Sequence, residues 1–266
     1  MATHLPSPLQ PFRSDGDGEV QCGVTPNRPQ YGECVFDSTL TWRVHEADNG
    51  GIAICMHAGA EKRLFQVLAL NDDFTRGQVF LDETQMHTAG PHFALEEPLF
   101  QIWTNFLLLK SRGLLVHALG VEIDGAAHLF MGTSGVGKST FAHVFANAGI
   151  GTILSDDRII IRADGDSYRA YGTPWNGEPQ FMAAASAPIA AIYFLAQAPS
   201  CIIEPVSGSA AVSQLFANCF LAGWPREPAL QFALDNAAAV AGMIPCYDFG
   251  FTPDERSLNA LGFLTE

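Results

Sequence analysis

The strongest constraint on the fold is a glycine-rich segment near the middle of the chain, Gly132-Thr133-Ser134-Gly135-Val136-Gly137-Lys138-Ser139-Thr140. It fits the pattern G-x-x-x-x-G-K-[ST], in which glycines let the backbone curl until successive N–H groups point inward at phosphate oxygens. An apolar run at 127–131 precedes it, and a helical pattern from about Lys138 to Ala148 follows, ending at Gly149. We therefore predict a strand, a phosphate-binding loop and a helix, in that order.

The positions of this loop have distinct roles in binding a nucleoside triphosphate. The backbone groups and the positive end of the following helix dipole favour phosphate oxygens at the same point. Lys138 places a charge on the β and γ phosphates, and the Ser139 hydroxyl can ligate Mg²⁺. We expect ATP and Mg²⁺ as cofactors. The predicted binding residues are Gly132, Ser134, Gly135, Val136, Gly137, Lys138, Ser139 and Thr140.

Two aspartates follow the next apolar strand, 152–154, and are candidates for chemistry. Asp156 and Asp157 end that strand, so they are expected at the carboxyl edge of the sheet, where a nucleotide sits. One carboxylate suffices to hold Mg²⁺, and a second could accept the proton of an attacking hydroxyl. Paired aspartates are usually turn residues or helix caps. The phosphate loop just upstream favours the functional interpretation.

The rest of the chain divides into three parts. Residues 1–30 are rich in Pro, Gly, Asp and Ser and are predicted to be a loose lead-in that contributes at most one strand. Residues 31–95 alternate short apolar runs with turn signals, as in a small β-rich N-terminal domain. A helix at 96–112 joins the two halves. Residues 96–266 are predicted to form the α/β domain, with a helical C-terminal tail.

Composition and charge exclude several classes of function. The formal net charge is −14, so phosphate-backbone binding to nucleic acid and attraction to anionic lipid are not expected. None of the six cysteines has C-x-x-C spacing, so reduced thiols are expected. The N-terminus does not read as a signal peptide, and no run of roughly 18 apolar residues is present. We predict a cytoplasmic protein without a membrane segment.

Three segments together resemble the HPr kinase/phosphorylase family and its smaller relatives. They are the histidine-bearing strand at 115–123, the phosphate loop at 132–140, and Leu154-Ser155-Asp156-Asp157. The family shares its nucleotide core with ATP-type phosphoenolpyruvate carboxykinases. The β-rich first third and helical tail, and the segment at 172–178, look like those of HPr-kinase-like proteins found beside peptide-modification genes. The resemblance implies an HPr kinase-like P-loop core.

The resemblance also implies roles for particular residues. A histidine on an apolar strand is by itself more often a core residue, but His117 matches the family histidine that assists the base. Asp156 and Asp157 would divide the roles of base and metal ligand, with Asp156 favoured as the base. Glu178 would be a second acid near the metal. Full-length members form hexamers, so a homo-oligomer is one alternative for this chain.

The sequence departs from the bifunctional members of the family. It has no counterpart of their glycine-rich signature after the aspartate pair, nor of the basic loop that grips the target protein. Phosphorolysis and HPr as the target are therefore not predicted. A basic residue should still neutralise the moving phosphoryl group, and Arg158, Arg169 and Arg226 are the candidates.

These observations predict a kinase that moves the γ-phosphoryl group of ATP to a hydroxyl, on a serine of a peptide or protein partner. Positioning and charge stabilisation would supply most of the rate acceleration. One alternative acceptor is a small metabolite such as free serine. The other alternative is a nucleotide-dependent binding or regulatory protein with little turnover. The sequence does not identify the acceptor.

Overall fold

The computed structural model describes residues 21–25, 27–39, 41–47, 50–58, 63–81, 98–110, 113–175, 177–178, 180–221 and 226–264. The chain divides into two compact units, Met1–Leu107 with Ala222–Glu227, and Leu108–Leu221 with Pro228–Glu266. The division falls inside a helix, later than the predicted boundary at residue 96. Residues 1–20 of the predicted lead-in lie outside the described residues.

The first unit is built on a six-stranded sheet of order β1-β6-β5-β4-β3-β2. Every pairing from β2 to β6 is antiparallel, and β1 pairs with β6 in parallel. The sheet agrees with the predicted β-rich character of this region. The strands are β1 (Gln21–Thr25), β2 (Cys34–Asp37), β3 (Trp42–Glu46), β4 (Ile52–Ala58), β5 (Arg63–Leu70) and β6 (Arg76–Leu81).

Helix α1 (Leu99–Lys110) corresponds to the predicted helix at 96–112. Its apolar residues recur at helical spacing, and the side chains of Trp103 and Phe106 are fully buried. The Trp103 indole N–H donates to the carbonyl of Phe74 at 2.7 Å, which satisfies the one polar atom of that ring. A side chain on Gly77 of β6 would meet the Trp103 ring at 3.1 Å. The helix and the sheet of this unit therefore pack closely.

The second unit is built on an eight-stranded sheet of order β11-β10-β7-β8-β12-β14-β13, with β9 paired to β7. β11 also pairs with β12, so part of the sheet closes on itself. β8, β12 and β14 are parallel neighbours. The strands are β7 (Gly113–Ile123), β8 (Ala126–Met131), β9 (Thr152–Ser155), β10 (Arg158–Asp164), β11 (Ser167–Gly172), β12 (Ser186–Gln197), β13 (Ile202–Val206) and β14 (Cys246–Phe251).

Helices cover both faces of this sheet because side chains alternate along each strand. Leu129 and Met131 of β8 belong to a core shared with helices α3 and α4, whereas Phe130 belongs to a core shared with α2 and α5. The four helices are α2 (Lys138–Ala148), α3 (Gly208–Ala217), α4 (Arg226–Met243) and α5 (Glu255–Ala260). This unit is therefore mixed α/β, as predicted, and the first unit is dominated by strands.

Two elements of the second unit differ from the sequence-based expectation. β13 was missed, because Ile202–Val206 is a short run interrupted by a proline, which is tolerated there on an edge strand. Within the predicted helical tail, the helical pattern of the sequence runs from about 207 to 222, but α3 ends at Ala217. The next residues leave the helix because they hydrogen-bond to β7: the N–H of His117 donates to the carbonyl of Asn218 at 2.8 Å. Within the described residues, no helix combines the length and apolar character needed to cross a membrane.

The close packing of Gly172 gives a test of this fold. A Cβ on Gly172 would lie 2.0 Å from the carbonyl oxygen of Ala183 and 2.7 Å from that of Leu154 in β9, and neither backbone atom can move aside cheaply because the two residues are hydrogen-bonded to each other. We expect Gly172→Ala to lower the free energy of unfolding by about 2–4 kcal/mol, measured by urea denaturation. The control is Gly242→Ala in α4, where a Cβ meets nothing within 4 Å. It should raise stability by up to about 1 kcal/mol. Equal effects of the two variants would contradict this packing.

Candidate functional site

Strand register alone assembles the candidate site around β7. β9 and β10 pair with different halves of β7, and the only residues between them are Asp156 and Asp157. Arg158, the first residue of β10, lies directly opposite His117 of β7. On the other side of β7, Ala118 pairs with Met131, the last residue before the glycine-rich loop. The loop, the histidine and both aspartates are therefore brought to one region of the sheet.

The glycine-rich loop connects β8 to α2, in the strand–loop–helix context that the sequence predicts. Gly135 and Gly137 have φ of 82° and 113°, a backbone conformation that residues with a Cβ rarely adopt. A Cβ on Gly137 would also lie 3.1 Å from the ring of Phe251. The Gln197 amide donates to the carbonyl of Val136 at 3.1 Å, so the end of β12 braces the loop.

Lys138 begins α2 and is nearly buried, with 5% of its surface exposed. Its Nζ donates to the carbonyls of Gly132 at 2.7 Å and Thr133 at 3.3 Å, within the loop itself. Burial is the main cause that lowers the pKa of Lys138 from 10.5 to about 8; the neighbouring Arg158 acts in the same direction, and the two aspartates oppose it. An anionic ligand would stabilise a buried ammonium of this kind more than a neutral ligand would.

A cavity of about 350 Å³ opens between the loop and the aspartates. Most of the predicted site residues line it, but Gly132, Val136 and Glu178 do not. The carbonyls of Gly132 and Val136 are used within the protein, by Lys138 and Gln197. The lining residues are His117, Ser134, Gly135, Gly137, Lys138, Ser139, Thr140, Asp156, Asp157 and Gly177.

Asp157 is held between two basic side chains. His117 Nε2 lies 2.8 Å from Asp157 Oδ1, and the guanidinium of Arg158 contacts Oδ2. Burial is the largest single influence on the pKa of Asp157 and raises it, but His117 and Arg158 outweigh that influence. The pKa therefore lies below the ordinary aspartate value. Asp157 stays ionised at neutral pH.

Asp156 is more deeply buried, with 2% of its surface exposed. Its Oδ1 accepts from the backbone N–H of Gly177 at 2.7 Å and more weakly from that of Glu178 at 3.4 Å. Its Oδ2 is covered and has no hydrogen-bond partner in the part of the chain that the structure describes. A buried carboxylate oxygen without a partner is costly, and a hydroxyl proton or a hydrated cation would satisfy it.

The structure does not bring the Glu178 carboxylate into the cavity, where the sequence analysis placed it as a metal ligand. The backbone N–H of Glu178 faces Asp156, whereas its side chain points toward α2. There the carboxylate oxygens lie 3.0 and 3.1 Å from His143 Nε2, and one of them accepts from the Gln180 amide at 2.6 Å. Glu178 thus links the segment above Asp156 to the helix that carries Lys138.

The donors at the cavity suit a magnesium ion carried by phosphates. Among the residues described, no group of three or more His, Cys, Asp or Glu side chains is arranged to hold a metal ion. Mg²⁺ in nucleotide sites takes one or two protein ligands and completes its coordination with phosphates and water. Ser139, Asp156 and Asp157 supply hard oxygen donors on the wall of one cavity.

Two contributors to the site were not predicted from the sequence. Gly177 supplies the N–H that holds Asp156, and only its membership of a turn-rich segment pointed to it. Phe220 stacks on Arg158, with the guanidinium carbon 3.7 Å from the ring centroid. Nothing in the sequence indicates this contact, because Phe220 lies far along the chain from β10.

The fold and the site together define a mixed α/β protein in which a glycine-rich loop, a buried lysine and paired aspartates share one cavity. A family model described as "SynChlorMet cassette protein ScmC" matches residues 93–252, more than half of the chain. The chain therefore belongs to the ScmC family. A comparison with curated protein sequences finds no match.

Among solved structures, the chain is similar to one titled "Structure of the Hpr(Ser) kinase/phosphatase from Coxiella burnetii". The sequence identity is 12%, and the match covers 56% of this chain and 92% of the other. The TM-score is 0.35. So low a score supports no conclusion about activity or about individual residues.

The buried charge of Lys138 predicts a stability that depends on pH. The folded-state pKa of about 8 lies below the ordinary lysine value of 10.5, so the folded state releases this proton first as the pH rises. Wild-type stability should therefore rise between about pH 8 and 10.5. We expect Lys138→Met to be more stable than the wild type at pH 7, by about 1–3 kcal/mol.

This advantage should shrink as the pH approaches 10, because wild-type Lys138 is by then neutral in the folded state. Urea denaturation of the two proteins at pH 7 and at pH 9.5 measures the difference. A difference that is the same at both pH values would contradict a buried, destabilised ammonium at this position.

Proposed function

We propose that this protein is an ATP- and Mg²⁺-dependent kinase of the HPr kinase-like P-loop class, which transfers the γ-phosphoryl group to a hydroxyl, that of a serine in a peptide or protein. One observation carries the proposal. The loop residues and Lys138 share a single cavity with His117, Asp156 and Asp157. Groups that would hold a triphosphate thus face groups that could activate an acceptor.

The phosphate-binding side would use the loop amides, Lys138 and Ser139. Lys138 now donates to two loop carbonyls. Exchanging one of these for a phosphate oxygen would pair its buried charge with an anion, which is a stronger interaction than a hydrogen bond to a neutral carbonyl. The Ser139 hydroxyl would ligate Mg²⁺, which would supply positive charge against the negative charge that develops on the phosphates.

The two aspartates differ in a way that supports separate roles. Both oxygens of Asp157 face basic groups, which makes it a weak base that remains ionised, suited to Mg²⁺ directly or through water. Asp156 has one oxygen without a partner, which suits acceptance of the hydroxyl proton. His117 contacts Asp157, so it would act by orienting that carboxylate rather than by touching the base.

Among the candidate arginines, Arg158 fits the role of neutralising the moving phosphoryl group best. Its side chain contacts Asp157, which lines the cavity. Arg169 is instead bound to Asp164 at 2.8 Å, within the hairpin of β10 and β11. The side chain of Arg226 lies outside the described residues. An arginine near the transferring group stabilises charge that develops in the transition state.

The description of the family fits an acceptor peptide that is encoded close to the gene of this protein. ScmC is described as a cassette protein, so a peptide encoded in the same cassette is the first acceptor to try. Free serine is the small-metabolite alternative. A nucleotide-dependent binding or regulatory role is the alternative without catalysis, and a protein of that kind would not need a base.

Mass spectrometry of acceptors tests the kinase directly. Free serine and peptides encoded beside the gene are incubated with ATP and Mg²⁺, and with wild-type protein, Lys138→Ala or Asp166→Asn. A phosphoryl adduct should form with the wild type and with Asp166→Asn, which changes an aspartate at the β10–β11 turn. It should fall at least about 100-fold with Lys138→Ala. ATP binding without any adduct or ADP would favour the binding or regulatory alternative.

The division of roles between the aspartates has its own test. Asp156→Asn should lower kcat by about 100- to 10,000-fold while the affinity for Mg²⁺ and ATP changes little, because only the base is lost. Asp157→Asn should raise the Mg²⁺ concentration needed for half-maximal activity. Kinetics over a Mg²⁺ titration measure both. If Asp156→Asn shifted the Mg²⁺ requirement and Asp157→Asn did not, the two assignments would be exchanged.

A further inference from the structure

Phe220 lies beside the site because the residues after α3 run along β7. Cys219 forms an antiparallel bridge with Val116. On either side of that bridge, the N–H of His117 donates to the carbonyl of Asn218, and the N–H of Phe220 donates to the carbonyl of Leu115, both at 2.8 Å. These bonds fix the backbone of Phe220 relative to the strand that carries His117.

The Phe220 ring faces two charged or polar groups of the site. The guanidinium carbon of Arg158 lies 3.7 Å from the ring centroid, and the imidazole of His117 lies 5.7 Å away, tilted by 51°. Arg158 Nε is covered and has no hydrogen-bond partner among the described residues, while a terminal nitrogen of the same group contacts Asp157. No hydrogen bond therefore fixes the Nε side of the guanidinium, and the ring supports its face.

We propose that Phe220 is a positioning residue that holds the Arg158 guanidinium flat against its ring, so that one edge stays on Asp157 at the cavity. This inference rests on the proposed kinase function. A cation over an aromatic face is attracted by the ring quadrupole, most strongly where water is excluded. An arginine without that support has many rotamers and would lose the orientation that places its charge beside the transferred group.

Phe220 could instead only fill apolar space in the core. Substitutions distinguish that role from the positioning of Arg158. Phe220→Leu keeps an apolar side chain but removes the aromatic face. Phe220→Tyr keeps the face. Phe216→Leu is the matched control, since Phe216 is a partly buried phenylalanine of α3 that packs against the hydrophobic core. Thermal melts of all three variants establish that they fold.

The NMR signal of the Arg158 Nε–H group reports its position without any catalysis. Aromatic ring currents shift protons above a ring upfield, and Arg158→Lys identifies the signal by its loss. We expect one upfield-shifted arginine Nε–H signal in the wild type, in Phe220→Tyr and in Phe216→Leu. It should return to the ordinary range in Phe220→Leu. An unchanged signal in Phe220→Leu would overturn the proposal.

Turnover with the phosphorylated acceptor found by mass spectrometry gives the second readout. Phe220→Leu should lower kcat about tenfold with ATP affinity within about twofold, and Phe220→Tyr should restore it. In an Arg158→Ala background, Phe220→Leu should add no further loss. An equal loss in Phe216→Leu, or a full kcat in Phe220→Leu, would overturn the positioning role. Absence of wild-type turnover would refute the kinase proposal itself, while the NMR signal still decides whether Phe220 holds Arg158.

Discussion

The candidate site depends on the pairing of one long strand, β7, with three others. β8 brings the glycine-rich loop to one side of β7, and β9 and β10 bring the aspartate pair to the other. Because side chains alternate and register is fixed by the buried face, a slip of one residue would send His117 to the opposite face and separate it from Asp157. The length and register of β7 therefore determine the geometry of the whole cavity.

The chain carries a net charge of −14, yet two basic side chains, Lys138 and Arg158, lie in or beside the candidate site, where an anionic ligand would need them. Lys138 is buried, which lowers its pKa to about 8. The charge of Arg158 is balanced by Asp157. An apolar side chain at such a position would stabilise the folded state more. A buried charge is expected where function requires it. An acidic surface does not prevent this, because loop amides and two side chains act over a short distance.

The segment between β11 and β12 shows how backbone groups can replace side chains in such a site. Asp156 is held by the N–H groups of Gly177 and Glu178 rather than by a basic residue. A side chain on Gly177 would come within 2.8 Å of Asp156 Oδ2, so the Asp156 carboxylate would have to shift to admit it. The Glu178 side chain is then free to bind His143, which ties the segment to α2.

The sequence by itself determined the elements that local pattern encodes. The strand–loop–helix at 126–148, the β7–β8 hairpin and α1 were predictable, because glycine positions and apolar periodicity act over neighbouring residues. The tertiary structure alone decided that His117 contacts Asp157 rather than Asp156, that Glu178 turns away, and that Phe220 stacks on Arg158. Those contacts follow from which strands pair and in which register. That choice is made by burial across the whole sheet, which no local segment records.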